Sequence, residues 1–509
     1  MAKPFHELLA ESLGRVEKAA NKGFVRSEDI SRRDRERLLK RDWLEPIIAG
    51  WYLLISPQAE QGESTAWFAS FWVFIQQYLH EKFDTNYCLS AESSLDVHTA
   101  DNIIPKQVVV ITKVSGNYTL SLPHQTSIVI YQDINKFPSM IETKDKLQIM
   151  PVSLALCRIG KSFFQRQPMN AKIALSMLRD VSELTRHLLQ GGMVQSAGRL
   201  AGAYRHIGRE TFSQEIIQTM KAAGFTVAEV NPFGETQKTN NSIYNQRILS
   251  PYHARTISMW ETMRDDVINN FPKQRMTKTS PINVIQHLDD VYVNDAYNSL
   301  SIEGYKVSKS LIAKIQSGEW NPDKNETDLQ QRNALAAKGY YLAFLAVKES
   351  INKVFAGHNA TEILQKDLSK WYQALFSPSV EAGLIESAHL AGYRNDRVYI
   401  RHSLHVPPPK EAVIDCMDAF FTCLKNEENP IVRAVLGHFI FVFIHPYMDG
   451  NGRIGRFIMN LLWCAGGYPW TIVRLESRKK YLQALESASV SKNIRPFTIF
   501  LGKEMSVKW

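Results

Sequence analysis

Residues 435–467, VLGHFIFVFIHPYMDGNGRIGRFIMNLLWCAGG, leave this chain few ways to fold. The apolar run Phe439–Ile444 has to be buried, and a helix apolar on every side belongs in a core. It delivers His445 at its end, where Pro446 breaks the helix. Asp449-Gly450-Asn451-Gly452 then reads as a tight turn, because glycine accepts positive φ and lets a ligand approach the backbone. A second apolar helix starts at about Asn451 and runs to Ala465, where Gly466 and Gly467 stop it.

The turn between the two helices has its own chemistry. Unpaired N–H groups and the positive end of a helix dipole converge there, which makes an anion site. Arg453 and Arg456 lie three apart on one face and can grip further phosphate oxygens. Asp449 supplies a hard oxygen for Mg²⁺ on a polyphosphate. His445 is the nearby side chain able to take a proton near neutral pH. Taken singly, a helix-ending His-Pro or a pair of arginines is more often structural. Taken in this order and spacing, base, carboxylate, Gly-Asn-Gly turn and two arginines describe a nucleotide site.

The ordered segment His445-Pro446-Tyr447-Met448-Asp449-Gly450-Asn451-Gly452-Arg453-Ile454-Gly455-Arg456 resembles the Fic signature H-P-F-x-[D/E]-G-N-G-R-x-x-R, with Tyr447 in place of the usual Phe. The resemblance implies an all-helical Fic domain over 251–509 with a short β-hairpin flap. It also implies AMP transfer from ATP to a Ser, Thr or Tyr hydroxyl of a target protein, with ATP as substrate and Mg²⁺ as its metal. By position His445 is the base and Asp449 the metal ligand. Asn451 and the N–H groups of Gly450 and Gly452 hold the α- and β-phosphates, and Arg453 and Arg456 the outer ones. Gly392-Tyr393-Arg394, Val398-Tyr399-Ile400 and Val406-Pro407-Pro408-Pro409 resemble the family's flap, which clamps a target peptide by strand addition. Gly467-Tyr468-Pro469 and Tyr481–Leu485 also follow the family pattern, whereas Trp371-Tyr372 stands where many relatives carry histidine.

Ser299-Leu300-Ser301-Ile302-Glu303-Gly304 is similar to the inhibitory-helix motif [S/T]-x-x-x-E-[G/N] of relatives whose brake lies N-terminal to the signature, the class II type. Alone it is a weak pattern. Ser299 and Glu303 sit four apart, so they project from one helical face near 294–304. The expectation is that Glu303 pairs with Arg456 and misaligns ATP. In some relatives the same glutamate supports AMP removal, which leaves the direction of the reaction open.

Upstream, residues 1–56 read as helix, a turn and short helix over Gly23–Ile30, helix from Ser31, then a β-hairpin over Trp43–Leu53. This order is that of a winged helix-turn-helix, and the basic second helix offers Arg32, Arg33, Arg35 and Arg37 to DNA. The stretch resembles the start of AbiEi-type antitoxins. The expected organisation is a mixed α/β region over 57–230, with strands Val108–Thr112 and Thr126–Tyr131 and helices Ala171–Leu189 and Glu215–Ala223. A polar linker over 231–250 follows. The stretch Pro123–Pro168 gives no single order of elements. The fold class is therefore mainly α, a Fic domain preceded by an α/β region and a winged helix.

Composition sets outer limits. With 44% hydrophobic and 22% charged residues in a chain of 509, the protein reads as globular. No stretch approaches the ~20 apolar residues of a membrane span, and the N-terminus has no signal-peptide pattern. Five cysteines without C-x-x-C spacing argue against disulfides or zinc and for a cytoplasmic location. The net charge of +9 suits an anionic partner; a homodimer is an allowed state. A second reading makes the chain a DNA-binding, antitoxin-like regulator whose Fic part senses ATP. A third keeps the fold but transfers another nucleotide or a phosphocholine group.

Overall fold

The structure is a computed structural model describing residues 4–55, 65–101, 103–114, 116–234, 244, 247–272, 281–320, 328–400 and 403–507. Two compact units separate: residues 1–251 with 399–406, and residues 252–398 with 407–509.

The first unit begins with α1 (Phe5–Ala19), β1 (Phe24–Arg26), α2 (Arg32–Leu39), β2 (Leu44–Ile48) and β3 (Trp51–Leu54). The Ser31 hydroxyl caps α2 by accepting from the Asp34 N–H at 3.1 Å. The short helix expected over Gly23–Ile30 is instead β1 and a turn: Phe24, Val25 and Arg26 pair with Leu53, Tyr52 and Trp51. Alternation around buried Phe24 and the pairing edge of β3 outweigh a helical reading of so short a stretch. The sheet order is β1-β3-β2.

The chain continues through α3 (Thr65–Phe83), β4 (Tyr87–Leu89), α4 (Ala91–His98), β5 (Gln107–Thr112), β6 (Tyr118–Leu122), β7 (Thr126–Gln132), β8 (Glu142–Lys144) and β9 (Leu147–Ile149). Strands β4-β5-β7-β6 form one sheet in which only β5 and β7 run parallel. One apolar core runs through this unit, from Phe24 and Trp51 across the aromatic face of α3 to Val108, Ile128 and Ile149. Trp51 meets Phe74 edge-on at 5.4 Å. Helices α5 (Val152–Arg158), α6 (Lys161–Arg166), α7 (Pro168–Met177), α8 (Ser182–Gln190), α9 (Val194–His206) and α10 (Glu210–Ala222) complete the unit. The single helix expected over Ala171–Leu189 is thus two, broken after Met177. The expected linker falls largely outside the described residues, although Phe233 packs edge-on against Phe164.

The second unit is helical: α11 (Pro251–Asn270), α12 (Pro281–Ile302), α13 (Lys309–Ser317), α14 (Asp328–Phe355), α15 (Ala360–Glu381), α16 (Val413–Asn426), α17 (Pro430–Ile444), α18 (Asn451–Ala465), α19 (Arg478–Ser491) and α20 (Arg495–Met505). Helices α17 and α18 are buried along almost their whole length. Asn429 starts α17 by accepting from the Ile431 and Val432 N–H groups, with Pro430 in the first turn. The β-hairpin expected before α16 does not form among the described residues. Three successive prolines, 407–409, cannot donate to a ladder, and His405 makes only an isolated bridge, to Ile103. His402 lies outside the described residues.

Helix α15 supports the polar turn, and its closeness to α14 depends on one glycine. A Cβ built on Gly339 would stand 2.0 Å from the Leu375 carbonyl oxygen, and Leu375 and Phe376 in turn press against Gly450. Gly339→Ala should therefore destabilise the protein by about 1–3 kcal/mol through overpacking, read as a lower urea midpoint. An unchanged midpoint would mean that this helix contact is not needed.

Candidate active site

Every residue of the site lies in the second unit. Helix α17 ends at His445 in the left-handed conformation, φ 53° and ψ 58°. There its N–H still donates to the Phe441 carbonyl at 3.0 Å. The Val442 carbonyl lies 3.1 Å from Nδ1. A carbonyl only accepts, so Nδ1 carries the proton and Nε2 keeps its lone pair, the tautomer of a base. Burial holds the imidazole down at about 4, and the nearby Arg394 charge adds to this. His445 is thus neutral at physiological pH.

The turn that follows is braced from within. Asn451 accepts from the Tyr447 N–H at 2.9 Å and donates to the Tyr447 carbonyl at 2.8 Å. The family pattern gives Asn451 to the α- and β-phosphates; in this structure its side-chain amide bonds the Tyr447 main chain at both ends. Gly450 needs its missing Cβ twice over, for φ 79° and because Phe376 would stand 2.8 Å away. The first helical hydrogen bond of α18 runs from the Ile454 N–H to the Gly450 carbonyl. The N–H groups of Gly452 and Arg453 precede it and have no intrahelical partner.

The two arginines are almost fully buried. Arg453 reaches Asp449 Oδ2 at 3.2 Å and lies between the rings of Tyr305 and Phe376, 5.1 Å from each centre. Arg456 donates from Nε to Ser299 Oγ at 2.9 Å, and from Nη2 to the Ser299 carbonyl at 3.1 Å and Glu303 Oε1 at 2.7 Å. Each guanidinium retains one buried nitrogen without a hydrogen-bond partner: Nε of Arg453 and Nη1 of Arg456. Asp449 is exposed; its Oδ1 accepts from the Gly450 N–H at 2.6 Å.

The Ser299 and Glu303 segment closes over this cradle. Glu303 lies just beyond the end of α12, and Gly304 turns the chain at φ 89° so that the Tyr305 N–H reaches the Leu300 carbonyl. That is a helix stop that needs a glycine-like residue. A Cβ on Gly452 would come within 2.3 Å of Glu303 Oε1, so the carboxylate sits over the N-terminus of α18. Arg478 Nε fixes the end of α12 through the Ile302 carbonyl at 2.8 Å. One turn before Ser299, buried Asp295 accepts from the Tyr340 hydroxyl at 2.7 Å, and burial raises its carboxyl to about 6.

Three contributors were not assigned a role from sequence: Arg394, Asp295 and Tyr372. Tyr372 stacks flat on Tyr447, 3.9 Å between ring centres and 6° between planes. The two departures from the family pattern, Tyr for Phe at 447 and Trp371-Tyr372 for histidine, thus meet in one contact, and that coincidence was the available signal. The four candidate DNA arginines lie in the first unit. Arg32 and Arg33 are exposed, Arg32 pairing with Glu36. Arg35 lies 6.0 Å from the Tyr52 ring. Arg37 turns inward, to Ser12 Oγ at 2.6 Å and the Leu8 carbonyl.

Acid should weaken the fold through two buried histidines. Burial lowers His445 to about 4 and His438 to about 3. Unfolded histidine titrates near ~6.5. Their contribution is therefore complete above ~6.5 and is lost as pH falls towards the folded values. The expected loss is about 2 kcal/mol per histidine between pH ~6.5 and ~5. Urea unfolding at pH 7 and 5 measures it, and His438→Gln should flatten the fall. An equally steep fall in that variant would rule His438 out.

Residues 362–463 match the Fic/DOC family. The chain is 24% identical over 365 residues to the protein adenylyltransferase Fic of Aedes aegypti, covering 61% of this chain and 69% of that protein. It is 23% identical over 355 residues to the Culex quinquefasciatus protein of the same name, covering 60% and 66%. A shorter match, 37% over 115 residues, links it to the Nematostella vectensis Fic adenylyltransferase, covering 22% of this chain and 26% of that one. Among solved structures it is similar to Fic-1 of C. elegans, at 18% identity and TM-score 0.36 over 66% of this chain and 94% of that chain. It is also similar to a Fic-domain signalling protein from Bacteroides thetaiotaomicron, at 15% identity and TM-score 0.35 over 50% and 92%. The match to the Fic/DOC family thus runs from within α15 to near the end of α18.

Proposed function

We propose that the protein is an adenylyltransferase that moves AMP from ATP to a protein hydroxyl, with its own Glu303 as brake. One observation carries the reading: a neutral His445 with its Nε2 lone pair free stands beside a helix N-terminus where two buried guanidinium N–H groups lack partners. Those donors suit polyphosphate oxygens. In the transfer, His445 Nε2 takes the proton of the target hydroxyl, whose oxygen bonds to the α-phosphorus. The bond from that phosphorus to the α,β-bridging oxygen breaks, and pyrophosphate leaves. Charge building on the phosphoryl oxygens is met by the α18 N–H groups and Arg453. The names of the curated relatives support this choice over another transferred group.

Asp449 fits Mg²⁺ held mainly by phosphate and water, since it is an exposed all-oxygen donor. When bound, that ion would neutralise charge between the phosphates. Among the described residues no group of three His, Cys, Asp or Glu side chains is placed to hold a metal alone.

Glu303 supports autoinhibition of the class II kind. Its carboxylate lies against Gly452 and on Arg456, where an outer phosphate would seek the same donors. Glu303→Gly should raise AMP incorporation by roughly 100-fold, the cost of about 1 Å of misalignment. Adding His445→Ala should remove it. Intact mass after incubation with Mg²⁺ and ATP is the measurement; an unchanged mass in Glu303→Gly refutes the reading.

Arg32 and Arg33, outward on a capped helix beside a three-stranded sheet, support winged-helix DNA binding as a second activity. Retardation of duplex DNA should weaken steeply with salt. It should fall in Arg32→Ala/Arg33→Ala and persist in His445→Ala. Binding that ignores both arginines removes this reading. No helix among the described residues is long and apolar enough to cross a membrane. The five buried free cysteines accord with a cytoplasmic setting.

A further inference from the structure

We propose that Arg394 is the positioning residue of the transfer reaction, clamping the main chain of the His445–Pro446 corner so that the imidazole is held at its attack position. The inference rests on the adenylyltransfer reading and concerns a residue outside the signature.

Arg394 lies between α15 and α16 and is buried. Its own N–H donates to the Pro446 carbonyl at 2.8 Å. Its Nε donates to the His445 carbonyl at 2.8 Å, Nη1 to the Asp396 carbonyl at 3.0 Å, and Nη2 to the Pro408 carbonyl. All three guanidinium nitrogens therefore bind main-chain oxygens. Among the described residues no carboxylate stands within ion-pair distance of it. A buried cation without a counter-ion is expensive, and a residue that only filled this space would be apolar.

The corner needs an outside hold. His445 is left-handed, a region that β-carbon sterics disfavour, and there its carbonyl leaves the helical ladder. Pro446 has no N–H with which to lock the turn. The imidazole itself has one tether, from Nδ1 to the Val442 carbonyl. Arg394 seizes the carbonyls of both corner residues and, with the same guanidinium, the two ends of the 396–408 stretch. Only a planar, forked donor reaches three carbonyls in different directions. Lysine keeps the charge, but its three donors sit on one nitrogen and cannot reproduce the spread of the fork.

The experiment compares Arg394→Ala and Arg394→Lys in the Glu303→Gly background. It measures kcat, KM for ATP, melting temperature and the ¹⁵N shifts of the His445 ring. Arg394→Ala should lose about 100-fold in kcat while KM for ATP stays within about threefold, because the loss is of alignment and not of phosphate binding. Arg394→Lys should recover part of kcat and melt close to the parent. The His445 ring should shift from the pure Nδ1–H tautomer towards a mixture in Arg394→Ala. Unchanged kcat and tautomer would overturn the proposal. So would loss confined to KM, or both variants unfolding at the assay temperature, which would make Arg394 a residue of the fold alone. If Glu303→Gly with Arg394 intact transfers no AMP, the adenylyltransfer reading fails by itself. The tautomer ratio then still decides the clamp.

Discussion

The second unit is organised around the contact of one carboxylate, Glu303, with the N-terminus of α18 and Arg456, where we propose that it competes with a polyphosphate. Helix starts leave N–H groups unpaired, and this start adds two buried guanidinium groups, each with an unused N–H. So much donor density in a low-dielectric corner has to be answered by an anion. In the resting chain Glu303 supplies it, 2.7 Å from Arg456 Nη2 and against Gly452. On the function proposed above, ATP has to displace that carboxylate to seat its outer phosphates.

Much of the second unit serves to hold this geometry still. Apolar α17 fixes where His445 emerges, Asn451 staples the loop to Tyr447, and α15 presses on Gly450 through Phe376. The Ser299–Glu303 segment is anchored as firmly as the cradle. Asp295 meets Tyr340, Ser299 meets Arg456, and Arg478 holds the last carbonyl of α12. Because the segment ends in a glycine-dependent turn, Glu303 lies beyond the regular helix, in a short stretch whose displacement need not unwind α12.

The signature segment was legible because its residues are local. Apolar periodicity, a proline break and paired glycines fix two helices and a turn without distant information: α17 ends at Ile444, before the His-Pro break, and α18 spans Asn451–Ala465. The pairing partner of Glu303 could be named only because two motifs were read together. What stayed hidden depends on long-range contact. Arg394 looks like any arginine in a loop until its carbonyl partners are seen, and sequence shows the type of Asn451 but not its two hydrogen bonds to Tyr447. Strand β1 read as helical because three residues carry little periodicity, and its identity comes from pairing with β3. Among the described residues the hairpin expected before α16 does not form, and the three successive prolines 407–409 give a reason visible in the chain. Continuity of the aromatic core across the first unit is likewise a property of packing, not of sequence order.

The most direct test of the carboxylate-for-phosphate account is a crystal structure of the Glu303→Gly chain with Mg²⁺ and a non-hydrolysable ATP analogue. The account predicts an outer phosphate on Arg456 and the Gly452 N–H, where the glutamate oxygen now lies, with the α-phosphorus facing His445 Nε2. A triphosphate bound away from α18, or a cradle left without one at saturating analogue, would contradict it.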